Sequence, residues 1–451
     1  MFGNKVGHLG RVGSLTLAQR VSAMFSRGEP GAWYDPSDMS TLFQDSAGTT
    51  PVTAVEQPVG RMLDKSGRGN HATQATTTKR PVLSRRVNLL TKTEDFTAAY
   101  WTKDGVAVSN SHPSPGGGMS AMSMLQSNST GFHAIRAVYG FAMNVYSYSV
   151  RVKRNGARYF QIANQTSGVV VNFDLDSVTY QVVGGAVVGA SITPIGDGWH
   201  LLNVRFATAY EGIYNVIVTS LSAPRLENFT GDGVSGFLID APFVCLPVDA
   251  HLPYQWVNTA TDYDADPNKF PAYLRFDGVD DALQTGNIDF TSTDKMTVWA
   301  GVTKLSDAAR ATVTELGNGS VDTSSILYIN APGFPPSTDK FAFAAVAPVL
   351  GASVATATGS DLNAPINTVV CGFYTPGETS KLRINSVQRA AAGAVNPAGN
   401  FASRPLYIGA RAGTSLFFNG RIYSLIVRGA QTPLSRIEAT ELYIKQKMRM
   451  P

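Results

Sequence analysis

Asp277, Asp280 and Asp281 fall within five positions in "YLRFDGVDDALQTG", in a chain whose charged residues make up only 16% of 451. Three carboxylates at that spacing suit an oxygen-only cation site, an acid–base pair, or the capping of a turn. Calcium matches the first, since it takes carboxylate and carbonyl oxygens in an adaptable shell, with further ligands needed to complete it. No other cofactor is expected. Asp277-Gly278 is also a turn signal between a strand start at Leu274 and Phe276 and a second strand at Ala282 and Leu283. In the turn reading, Asp280 and Asp281 satisfy backbone amides through their short side chains.

A second constellation lies in "YSYSVRVKRNGARYFQIANQ". Asn155-Gly156 predicts a tight hairpin between two alternating strands. Alternation sets Tyr148, Val150 and Val152 against Ser149, Arg151 and Lys153, then Phe160 and Ile162 against Tyr159, Gln161 and Ala163. With the aliphatic faces as core, Arg151, Tyr159 and Gln161 share a polar face, joined by Asn172 and Arg205 from later strands. Planar polar and aromatic side chains in that arrangement suit a carbohydrate. A solvated sheet face, or one covered by a second subunit, is the plain alternative. Trp101 and Trp199 are candidate sugar platforms, although Trp199 equally suits the sealing of a core edge.

Hydrolytic machinery is not evident. A glycanase needs two carboxylates flanking the scissile bond, and no Glu-x-Asp-x-x-Glu string occurs. After residue 263 the only glutamates are Glu315, Glu378, Glu438 and Glu441, the last two expected in a terminal helix away from any sheet groove. The six histidines (His8, His71, His112, His133, His200, His251) are scattered. There is no Gly-x-Ser-x-Gly elbow, P-loop or His-Glu-x-x-His. The chain reads as a binding or structural protein rather than an enzyme.

The elements that must hold these residues are strands. Gly (43) and Pro (24) are abundant and 43% of residues are hydrophobic, a balance that favours short strands joined by turns. Runs such as "VVVNFDLDSVTYQVV", "KMTVWAGVTK" and "FFNGRIYSLIVRG" predict β-sandwiches. Two helices break the pattern. "SLTLAQRVSAMFSRG" starts at Ser14, places Leu15, Leu17, Val21, Met24 and Phe25 on one stripe, and stops at Gly28. That stripe is expected to pack either on another subunit or on its own chain. "PLSRIEATELYIKQKMR" begins near Pro433 and ends on basic residues, as the helix dipole prefers. Cys245 and Cys371 sit in apolar runs without metal spacing and are expected to be small buried hydrophobes. A net charge of +4 gives no concentrated basic stripe for nucleic acid. Without a signal h-region or transmembrane stretch, synthesis in a cytosol without membrane insertion is expected.

Certain phrases carry a resemblance. "GAWYDPSDMSTLFQDSAGTTPVTAVEQPVGRMLDKSGRGNHATQATTTKRPVL" and "LRFDGVDDALQT" resemble a family of tailed-bacteriophage and prophage virion proteins with a concanavalin A-like, laminin-G-like sandwich. There the two phrases are nearly contiguous. Here they are separated by "RVNLLTKTEDFTAAYWTK", "ITPIGDGWHLLNVRF" and "LPYQWVNTATDYD", which look like a jelly-roll resembling carbohydrate-binding domains. The resemblance implies an all-β chain with that jelly-roll inserted into the lectin-like sandwich. The expected divisions are an anchoring arm (1–30), the first part of the lectin-like sandwich (31–86), the insert (87–262) and the remainder with its helix (263–451). It further implies a structural virion protein, assembled in the host bacterial cytoplasm and displayed as a fibre, tail-tip or decoration component. Expected partners are other virion proteins through the arm, host-surface glycan, and further copies of the chain, with a trimer the usual habit of phage fibres. A polysaccharide depolymerase and a purely cementing capsid or tail protein are the alternatives.

Overall fold

Continuously apolar strands arise where a sheet is covered on both sides, and Met296–Lys304 is such a strand, buried along its whole length. In the computed structural model, which describes residues 15–451 except 138–143, 165–166, 209–211, 260–261, 264–265, 318–325, 334–338 and 347–352, it lies central in an eight-stranded antiparallel sheet. Ile366–Tyr374 and Asn419–Arg428 flank it. A nine-stranded sheet running from Leu42–Phe43 to Ser353–Thr358 faces this one. Between them lies one core that draws Tyr34, Leu42 and Val59 from the first segment and Phe276, Val298, Phe343 and Leu425 from the last.

Residues 101–245 build a second sandwich from two six-stranded sheets. One contains Asn144–Asn155, Trp199–Thr208 and Gly236–Cys245; the other contains Tyr159–Asn164, Val170–Asp174 and Ile213–Val218. Tyr148, Val150, Val152, Phe160 and Ile162 all enter its core, as alternation requires. Trp101 is in that core as well, with its indole N–H donating to the Lys92 carbonyl at 2.9 Å, and Trp199 is buried at a strand start. Neither tryptophan offers a face to a ligand.

The smaller sandwich is inserted into the larger. Ser84 in Val82–Ser84 is the direct cross-strand partner of Tyr273 in Tyr273–Asp277, so the chain leaves and re-enters the outer sandwich at adjacent points. The two connecting segments are joined by buried amides. Gln255 Oε1 accepts from the Val87 and Asn88 amides at 2.8 and 2.9 Å, while Asn88 Nδ2 donates to the Pro242 and Gln255 carbonyls. Asp249, leaving the insert, forms a 2.7 Å ion pair with Arg421 of the outer sandwich, both side chains buried.

Helix α1 (Leu17–Ser22) and helix α2 (Leu434–Lys447) cover the outward face of the eight-stranded sheet. The N-cap of α1 is Thr16, in a reciprocal capping box with Gln19; Ser14, the expected start, lies outside the described residues. Val21, Met24 and Phe25 pack with Trp33, Trp299, Ile437 and Ile444, so the described part of the arm docks on its own chain. Arg428 fixes the arm further, donating to the Met24 carbonyl at 2.9 Å and pairing with Glu29. Helix α2, whose glutamates were expected to lie away from any sheet groove, is packed on this outward face. Glu441 is buried against it and accepts from Arg383 of Thr379–Ile384 at 2.8 and 3.1 Å.

The expected hairpin at Asn155-Gly156 is not formed. Its two strands belong to opposite sheets of the inner sandwich. Gly156 does turn the chain, at φ +94, but a Cβ there would meet Ser235 at 2.7–2.9 Å. The close approach of that neighbouring loop makes the turn a corner between sheets. Asn-Gly marks a local reversal in sequence; which sheet receives the next strand depends on the packing of distant segments.

Candidate functional site

The corner separates the residues expected to share a sugar-binding face. Arg151 and Arg205 point outward from the sheet holding Asn144–Asn155 and Trp199–Thr208, while Tyr159, Gln161 and Asn172 belong to the opposite sheet. Gln161 and Asn172 are fully buried beneath the segment that follows Ile213–Val218. Gln161 donates to Asn172 Oδ1 at 2.8 Å and accepts from the Leu226 amide at 3.0 Å. Asn172 donates to the Leu221 and Ala223 carbonyls at 2.9 and 2.8 Å. They hold a loop and leave no polar atom for a ligand. Tyr159 is half-buried against the Arg158 guanidinium, 5.0 Å from its ring centroid.

Around Arg151 the structure assembles a different group. Its strand lies beside Gly236–Cys245 with Asp240 directly opposite, and the register shifts just beyond, at Ala241 and Pro242. Ala241 has φ +51, and Pro242 removes an amide donor, so the strand bulges next to the pair. The Asp240 side chain is 1% exposed and Arg151 28% exposed, with Nη1 3.1 Å from the carboxylate. Ser114 and Ser120 donate their hydroxyls to the same carboxylate at 2.9 and 3.0 Å, bringing the glycine-rich loop 113–119 over the sheet. Half-buried Glu94 faces the group. Burial and the Asp240 charge raise its carboxyl above the ordinary range, and Arg151 partly offsets this. Tyr254, whose hydroxyl donates to Thr93 Oγ1 at 2.7 Å, is pushed well up by burial, with Glu94 and Asp240 adding to the rise.

The chemistry available is that of polar recognition. A buried, triply hydrogen-bonded carboxylate fixes the guanidinium, and the half-exposed Arg151 and Glu94 then present a donor fork beside an acceptor. Leu201 and Asn203 of the adjacent strand extend this face towards Arg205. Of these residues only Arg151 and Arg205 were among the sequence candidates. Asp240 had a signal, as the lone charge in the apolar run "GFLIDAPFVC". Glu94 and Ser114 had none, because loops from distant parts of the chain bring them there.

The second candidate cluster does form. Asp277, Asp280 and Asp281 each place a carboxylate oxygen within 4.8 Å of the others. The capping roles differ from those expected. Asp277 Oδ1 accepts from the Val279 and Asp280 amides at 2.8 and 3.2 Å, and buried Asp281 accepts from the Asp277 amide at 3.0 Å. Asp280 caps nothing among the described hydrogen bonds. The turn joins strands in opposite sheets of the outer sandwich. Burial, with the charges of Asp277 and Asp280, raises the Asp281 carboxyl to about 6. The expected calcium would have these three carboxylates as its protein ligands.

No protein-family model matches the chain, and no curated protein matches it. Among solved structures it is similar to the receptor binding domain of botulinum neurotoxin type G (9% identity, TM-score 0.27, 39% of this chain and 42% of that one). It is also similar to the receptor binding domain of botulinum neurotoxin D (8% identity, TM-score 0.30, covering 38% and 43%). A third is the native heptameric SAP-like pentraxin from Limulus polyphemus (11% identity, TM-score 0.28, covering 37% and 78%). The matches span less than half the length of the neurotoxin domains. Overlap at this level assigns neither a family nor a ligand.

Proposed function

We propose that this chain is a structural protein of a tailed-phage particle, displayed outside it, whose inner sandwich binds host-surface polysaccharide on the face carrying Arg151. The observation that carries the ligand reading is Asp240, a carboxylate buried on the outward face of a sheet and held by Arg151, Ser114 and Ser120. Outward sheet faces are normally solvated, and a buried charge there is costly unless it orders its neighbours. The product of that ordering is an oriented guanidinium beside Glu94, a donor–acceptor pair matched to vicinal hydroxyls. The virion assignment draws on the resemblance of the sequence phrases to phage proteins.

Titration of the purified chain with capsular and lipopolysaccharide preparations tests the ligand reading. Arg151→Ala is expected to weaken glycan binding at least tenfold, about the value of a charged hydrogen bond. Gln161→Ala, in the buried loop anchor, is expected to alter stability and leave affinity unchanged. Affinity untouched by Arg151→Ala would overturn the site.

A second reading follows from Glu94. Its half-buried carboxyl, raised above the ordinary range by burial, suits the general acid of glycoside hydrolysis, with the second carboxylate to come from elsewhere because Asp240 is buried and fully hydrogen-bonded. Release of reducing ends from host polysaccharide, lost in Glu94→Gln, would make the protein a depolymerase rather than an adhesin.

A further inference from the structure

The strands Asn144–Asn155 and Trp199–Thr208 pair in unbroken register, so their outward face divides into rows. Lys153 lies opposite Trp199, Arg151 opposite Leu201, Ser149 opposite Asn203, and Ser147 opposite Arg205. Thr193, Ser191 and Gly189 of Val187–Gly196 extend the rows of Leu201, Asn203 and Arg205. Along a strand, successive residues of one face are about 7 Å apart. Lys153 therefore stands one row to one side of Arg151, and Arg205 two rows, about 14 Å, to the other.

Three cations mark this face, and they differ in what holds them. Arg151 is paired with Asp240 at 3.1 Å. Lys153 and Arg205 have no ion-pair partner among the described residues. The nearby acids Asp174 and Asp176 are engaged by Arg158 and Arg154, at 2.6 and 2.7 Å. Asp197, in the turn before Trp199, is not within ion-pair distance of Lys153. Gly189 gives Arg205 room, since a Cβ there would lie 4.0 Å from Arg205 Cδ and the arginine stem runs over that position. A carboxylate arriving at Lys153 or Arg205 displaces no internal ion pair, so its attraction is gained in full.

We infer that the glycan bound on this face is an acidic polysaccharide, its carboxylates meeting Lys153 and Arg205 on either side of Arg151. The inference rests on the glycan reading of the Arg151 face and adds the charge of the ligand. Ser149, Ser191, Thr193 and Asn203 offer hydroxyl and amide groups to the uncharged positions between the cations. Nucleic acid, the other common polyanion, needs exposed aromatic faces on which bases stack. The aromatic side chains of these rows do not provide them, Trp199 and Phe243 being buried.

Calorimetric titration of the full chain with uronic acid-containing capsular polysaccharides tests this, run beside the same polymers after chemical reduction of their carboxylates to alcohols. The reduced polymers are expected to bind about tenfold more weakly. Lys153→Gln with Arg205→Gln should weaken binding of the acidic polymer by a similar factor and leave the reduced polymer unaffected. Lys153→Arg with Arg205→Lys, which keeps both charges, should restore most of the affinity. Added salt should weaken the native chain's binding of the acidic polymer more than that of the glutamine variant. Equal affinity for acidic and reduced polymers, with Arg151→Ala still weakening both, overturns the acidic ligand and leaves the Arg151 site standing. No binding of either polymer overturns both. Single-stranded DNA bound more tightly than any polysaccharide would assign the cations to phosphate and overturn the inference.

Discussion

Asp281 shows how much a single carboxylate depends on its surroundings. Its side chain is buried and shares a turn with two other carboxylates, and its pKa rises from 3.8 to about 6. A folded-state value above the unfolded one means that the native state binds the proton more readily. Ionisation therefore costs stability as pH rises from about 4 to 6, and the full penalty persists above that window. Asp281→Asn keeps an acceptor for the Asp277 amide and removes the charge. It is expected to be more stable than the native chain by about 1–2 kcal/mol at pH 7.5, allowing for solvent screening at the open side of the turn. Urea denaturation across pH should show the difference closing towards pH 4; a constant difference would assign the effect to something other than ionisation. Gln161 and Asn172 make the complementary point. Both are polar residues on an outward face, yet each spends its hydrogen bonds on a loop of its own chain.

Helix α2 owes its position to a buried carboxylate at the start of the outer sandwich. Asp35 accepts from the Tyr443 hydroxyl at 2.8 Å and from Ser37, and lies 3.1 and 3.4 Å from the ammonium groups of Lys447 and Lys65. Burial alone would raise its carboxyl, but Lys447, Ser37, Lys65 and Tyr443 together hold it below the ordinary value. A depressed folded-state value has the opposite sign to that of Asp281. Its stabilisation is present above the unfolded value and is lost as pH falls through the folded one. Asp35→Ala is expected to cost about 2–4 kcal/mol at neutral pH, since the buried Tyr443 hydroxyl loses its acceptor and Lys447 its ion pair, while Lys65 keeps Asp38 at 2.6 Å. The deficit should hold from pH 7 to 5 and narrow only below about pH 4. A deficit that disappears already at pH 6 would contradict the assignment. The boundaries of α2 were legible in the sequence because Pro433 opens it and Lys445 and Lys447 close it. Its burial against Arg383 was not, since a charge on a helix gives no sign of a partner fifty-eight residues away.

At the scale of the molecule, nesting is stabilised where the two connections cross. Because Ser84 and Tyr273 are cross-strand partners, removing the insert leaves chain ends already side by side, and closing a short loop there costs little. Replacing residues 88–262 with a short Gly-Ser linker is expected to leave an outer sandwich that unfolds cooperatively, with near-native β-sheet circular dichroism. The excised segment carries Asp249, so some loss of stability should accompany the exposure of Arg421 to solvent. A chain that is insoluble or non-cooperative would show that the outer sandwich needs its insert as scaffold.

Sequence alone determined the strand-rich character, the two helices, and which side of the two strands flanking Asn155-Gly156 faces the core. Each follows from local chemistry: a period of two, a proline, a cap, a run of turn residues. Sheet membership was decided only in three dimensions. Asn155-Gly156 and Asp277-Gly278 are both turns, yet each passes the chain between opposite sheets, because its approach to Ser235 or Asn419 is set by distant strands. That choice moved Tyr159, Gln161 and Asn172 away from Arg151 and brought Asp240, Glu94 and Ser114 to it. A sheet face is composed of residues far apart in the chain, and only the packed structure brings them together.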